Sequence, residues 1–108
     1  MSTATQHRAS TTSRERVRRD LAVIAGRELT EVRITPALYG GGLSFCAMAL
    51  DGQHREVPLP RIQHAVADRV RRAFPRADWS RAQDYDVTSG VLTEHVTRLP
   101  ACLTGDAR

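Results

Sequence analysis

A chain of 108 residues with 41% hydrophobic and 26% charged residues is the size of one domain and has the ordinary globular balance, not that of a disordered or a membrane chain. The formal charge is +4, and all sixteen positions that are Lys or Arg are Arg. No stretch approaches the about 20 apolar residues of a membrane span, and no apolar secretory core opens the chain, so no membrane partner and a cytoplasmic location are expected.

Residues 1–12 are small and polar, without apolar periodicity, and are expected to form a disordered tail preceding a single domain over 13–108. Thr12 and Glu15 stand at capping-box spacing, and Val17, Leu21 and Ile24 follow at helical intervals. With Gly26 as a stop signal, a first helix is predicted over 13–27. Glu31 to Pro36 alternates, Val32 and Ile34 on one face and Arg33 and Thr35 on the other, as a half-buried strand does, with Pro36 ending it or placing it at an edge. The run Gly40-Gly41-Gly42 is read as a flexible connection between strands, because a strand rather than a helix N-terminus follows it.

Leu43 to Leu50 is apolar on both faces, and Asp51-Gly52 suits a tight hairpin loop, so 43–50 and 53–59 are predicted to pair with Cys46 opposite Val57. In that register Ser44, Cys46, Met48 and Leu50 make the face the helices cover. From Pro60 onward, Ile62, Val66, Val70 and Ala73 recur at helical steps and predict a second helix ending near Phe74 and Pro75. Val91, Leu92, His95, Val96 and Leu99 fit a third helix. The β-branched residues around Ser89-Gly90 also suit a hairpin, and the helical period is preferred. The expected fold is therefore α+β: an N-terminal helix, a three-stranded antiparallel sheet, a second helix packed on it, and a C-terminal helix or hairpin.

Charge is distributed unevenly. Residues 1–27 carry six Arg against Glu15 and Asp20, and residues 61–76 carry five Arg against Asp68, which makes each segment +4, while 28–60 and 77–108 come to −2 each. If phosphates or other anions are bound, Arg14, Arg18, Arg61, Arg71 and Arg72 are the candidates, although charge runs on amphipathic helices are more often a solvated face. Cys46 and Cys102 stand at no motif spacing and are read as reduced thiols. His54, His64 and His95 are scattered, so no metal site is predicted. His64 and Asp68 share a helix face at i, i+4, as an exposed polar pair does.

Neither a nucleophile beside a base nor a carboxylate pair marks a catalytic centre, and no cofactor is implied. The expected function is a small non-enzymatic interaction or regulatory module, acting on a protein partner or as a homodimer. The alternatives are a sequence-tolerant nucleic-acid binder that uses the two arginine-bearing helices, and a small-molecule-binding or enzymatic domain.

Overall fold

The computed structural model describes residues 6–95. In chain order the elements are β1 (Gln6–Arg8), α1 (Thr11–Ala25), β2 (Glu31–Tyr39), β3 (Gly42–Leu50), β4 (Glu56–Val57), α2 (Gln63–Ala73), β5 (Gln83–Asp86) and β6 (Val91–Glu94). The six strands form one antiparallel sheet in the order β1-β6-β5-β2-β3-β4. The expected three-stranded sheet with a third helix is thereby corrected to a six-stranded sheet with two helices, still loosely α+β.

The centre of the sheet is the β2–β3 hairpin. Gly40 and Gly41 both take positive φ, 54° and 82°, and Tyr39 pairs with Gly42, so these two glycines form a two-residue turn whose twist suits a hairpin. Pro36 lies inside β2, not at its end, opposite Phe45. It is accommodated because β5 covers only Glu31 to Ile34, leaving the missing N–H of Pro36 without a ladder to interrupt.

The loop after β3 is longer than two residues. The buried Asp51 carboxylate accepts hydrogen bonds from the Gln53 N–H at 2.8 Å and the Arg55 N–H at 3.0 Å, while the Asp51 N–H donates to the Arg55 carbonyl at 2.9 Å. These amides, that of Arg55 first, hold the Asp51 carboxyl below its ordinary value of 3.8. The loop therefore spans Asp51 to Arg55, and Val57 comes opposite Ala49, three residues from the expected partner Cys46. An odd slip exchanges the faces of a strand. Phe45, Ala47 and Ala49 are buried toward the helices, and Cys46, Met48 and Leu50 lie half-buried on the opposite face. The small Ala47 and Ala49 let Val66, Ala67 and Val70 of α2 pack closely on β3.

The first helix begins two residues earlier than predicted. Ser10, not Thr12, is the N-cap: its hydroxyl oxygen accepts the Ser13 N–H at 3.1 Å, and Gly26 at φ 74° closes the other end. Glu15 instead bonds Arg18 at 3.0 Å. Val17 and Leu21 are fully buried, and Asp20 ties α1 to α2 through Arg69 at 2.7 Å.

Gln6 to Arg8 fall within the stretch expected to be a tail, yet they pair with Val91 to Thr93 of β6. The strand edge of β6 supplies the hydrogen bonds that composition could not reveal. The region predicted as a third helix turns instead at Gly90, φ 75°, and the Asp86 carboxylate accepts the Thr88 and Ser89 amides at 2.9 and 3.2 Å. Of its apolar positions Leu92 is buried beside Tyr85, while Val96 and Leu99 lie outside the described residues.

One hydrophobic cluster joins Val17 and Leu21 of α1, Val66 and Val70 of α2, and the helix-facing residues of the sheet, including Val32, Ile34, Tyr85 and Leu92. Both helices thus lie on one face, and no described helix covers the other. Among the described residues no helix is long and apolar enough to cross a membrane.

Candidate functional site

The five arginines singled out in the sequence are not brought into one cluster. Arg18 bonds Glu15 and Glu28, and Arg72 pairs with Asp68 at 3.1 Å. Arg14 lays its aliphatic stem against Gly90. Arg61 and Arg71 remain, and among the described residues neither enters an ion pair.

Both line one open groove between α2 and β3. Its wider part, about 650 Å³, is bounded by Leu43, Phe45, His64, Asp68 and Arg71. The adjoining part, about 410 Å³, adds Arg61, Gln63 and Cys46 and shares Phe45 and His64. His64, Asp68 and Arg71 fall at helical spacing, so the exposed face of α2 forms one wall. The Arg71 guanidinium lies 3.7 Å from the centroid of the Phe45 ring, and Trp79 meets that ring edge-on at 6.5 Å. Trp79 is held by its own N–H donating to the Phe74 carbonyl at 2.9 Å. Arg71 Nε is buried and, among the described residues, has no hydrogen-bond partner. Arg61 is exposed at φ 66°, a conformation glycine or asparagine adopts more readily.

The other wall is a strand edge. Among the described residues β4 pairs with β3 only at Ala49 and Leu50. Because Asp51 bonds Arg55 outward, the alternation of an antiparallel ladder turns the N–H and C=O of Ala49, Ala47, Phe45 and Leu43 toward the same side. The Ala47 N–H donates to the Gln63 side-chain oxygen at 3.1 Å, which fits that alternation. The outward groups of Leu43 and Phe45 are the ones left facing the groove.

The hairpin overhangs this edge. Leu38 pairs directly with Leu43, and the two side chains, 78% and 60% exposed, continue the helix-facing side of the sheet beyond the helices. Sequence reasoning missed the groove because its two walls come from segments twenty residues apart, with the face of β3 assigned the wrong way. The alternation of Leu43 and Phe45 with Ser44 and Cys46 was the signal available.

On the uncovered face, Asp84 accepts a hydrogen bond from Arg33 at 2.7 Å and lies 2.8 Å from His95 Nδ1. With the His95 N–H donating to the Ala82 carbonyl at 2.8 Å, this cluster fastens β2, β5 and the end of β6 together. Among the described residues no three His, Cys, Asp or Glu side chains converge as a metal site would need.

Compared with protein-family models, with curated proteins and with solved structures, the chain matches none. The functional reading therefore rests on the groove.

Proposed function

We propose that the protein is a non-enzymatic interaction module, acting in the cytoplasm, that takes an extended segment of a partner protein as an added strand on the outer edge of β3. The observation that carries this reading is the pair of outward backbone groups at Leu43 and Phe45, unpaired by any described strand and bordered by a groove. Main-chain hydrogen bonds at such an edge supply affinity, and alternate side chains supply selectivity. The cytoplasmic setting and the absence of catalysis are carried from the sequence.

A partner is favoured over a second copy on electrostatic grounds. Pairing two copies through this edge brings Arg61 and Arg71 of both to one short ladder, where like charges repel. The nucleic-acid reading loses support from the placement of the arginines, since Arg18 and Arg72 are already engaged with carboxylates. A phosphate-tracking surface calls for a contiguous basic stripe.

The test is selection of random peptides on the wild-type protein with counter-selection on Leu43→Pro. That substitution removes one outward N–H and leaves the β2–β3 ladder its bonds, and Leu43→Ala keeps the N–H as a control. Peptides that bind Leu43→Ala more tightly than Leu43→Pro support strand addition, since both variants lack the leucine side chain and only the proline lacks the N–H. Failure to select any, or indifference to the proline, overturns it. Light scattering on the same stock decides the homodimer: a dimer mass that Leu43→Pro abolishes replaces the partner with a second copy.

A further inference from the structure

We infer that the segment received by β3 is acidic, with a carboxylate two residues from an apolar side chain, the carboxylate meeting Arg71 and Arg61 and the apolar group meeting Leu43 and Leu38. This rests on the strand-addition reading and names the chemistry of its occupant.

The spacing follows from the sheet. Leu43 and Phe45 project to the helix side, so residues of an added strand standing opposite them project to the same side, two positions apart. The one opposite Phe45 points into the groove beneath Arg71 and His64. The one opposite Leu43 lies beside the exposed Leu38–Leu43 pair, where an apolar side chain removes leucine surface from water. The residue between them turns to the uncovered face, past Ser44 and Cys46, and is free to vary.

Charge selects the sign of the groove residue. Asp68 is the one carboxylate among the groove residues, and Arg72 holds it at 3.1 Å. Arg61 and Arg71 have no such partner among the described residues. Stacking on Phe45 fixes the plane of the Arg71 guanidinium, which reduces the entropy lost when a carboxylate is bound.

Length is limited as well. Gln63 occupies the Ala47 N–H, so backbone pairing runs no further than Cys46. From Leu43 to Cys46 an extended strand covers about 10 Å, so the segment is short, about four residues.

The experiment is fluorescence anisotropy with labelled heptapeptides that carry a central Leu-Thr-Glu or, for the opposite strand direction, Glu-Thr-Leu, and the same peptides with Gln for Glu. One of the two acidic orders is expected to bind saturably, and its Gln version about tenfold more weakly, because a charge-assisted hydrogen bond is lost. Arg61→Asn, which suits the positive φ there, combined with Arg71→Gln is expected to erase the difference between the Glu and Gln peptides. The peptide-side substitution reads the same contact on unaltered protein, should the Arg71 variant lose its packing on Phe45.

Equal binding of Glu and Gln peptides overturns the carboxylate assignment. If neither acidic order binds while library selection still yields peptides that Leu43→Pro loses, the composition is wrong and strand addition stands. If no peptide of any kind binds, both readings fall. Oligothymidylate is included at equal concentration; tighter binding of it, lost in the double Arg variant, overturns the peptide in favour of a nucleic-acid backbone.

Discussion

The side-chain stem of Arg14 lies directly over Gly90: a Cβ built on Gly90 comes 2.9 Å from Arg14 Cδ and 3.2 Å from Arg14 Cβ. A residue near the start of α1 thus closes on the turn between β5 and β6, and the glycine is needed both for space and for its φ of 75°. Gly90→Ala is expected to lower stability by about 1–2 kcal/mol from the backbone alone, with a further cost from moving Arg14. In urea unfolding, Arg14→Ala, which removes Cγ and Cδ but keeps Cβ, should recover most of the steric part and leave the backbone part. The double variant should be more stable than the sum of the single effects predicts, and strict additivity would refute the contact.

At the other hairpin the expectation is the opposite. Gly40 has a φ of 54° and nothing within 4 Å of an added Cβ. Asparagine tolerates this conformation and restricts the unfolded chain, so Gly40→Asn should raise stability by about 0.5 kcal/mol. A rise in thermal midpoint checks it, and a fall would mean that the turn is not the two-residue form.

Asp51 should confer acid sensitivity on the β3–β4 loop. Its folded value is depressed below 3.8, so its contribution is full above the unfolded value and is lost as pH falls through the folded one. Asp51→Ala is therefore expected to be less stable than wild type at neutral pH, with the gap narrowing once pH drops below 3.8. Denaturant midpoints of both proteins across that range provide the measurement. A gap that does not change with pH would assign the loop's stability to packing instead.

Two apolar positions on α1 should respond very differently. Leu21 is fully buried and Val23 is 76% exposed. Leu21→Ala should cost about 2–5 kcal/mol through lost burial and the cavity it leaves, and Val23→Ala should stay within about 0.5 kcal/mol. Chemical denaturation of the pair tests the orientation of the helix, and similar losses would contradict it.

Short-range chemistry was legible in the residues. Val17 and Leu21 announced the inner face of α1, Val66 and Val70 that of α2, and Val32 with Ile34 that of β2, because each stripe repeats at the period of its own element. The pairing of segments was not legible in the same way. Gln6 to Arg8 have no pattern of their own and become a strand only because β6 offers an open edge, and β6 exists because Asp86 and Gly90 turn a segment whose leucines and valines also fit a helix.

The inner face of β3 shows the same division. Leu43 to Leu50 is apolar on both sides, so its residues alone could not choose; pairing with β2 sets Ala49 and Ala47 beside the buried Val32 and Ile34 on the helix side, and the Asp51 loop, longer by three residues than the Asp-Gly signal implied, brings Val57 to that same face. That choice also made the groove, by setting Phe45 beneath Arg71 and directing the backbone of Leu43 outward. Local periodicity determined the two helices, the strands β2 and β3, and which side of each helix is apolar, since those depend on residues within a few positions. Strand order, register and the convergence of Arg61 and Arg71 on one edge were decided by tertiary structure, because they depend on hydrogen bonds and packing between segments distant in the chain.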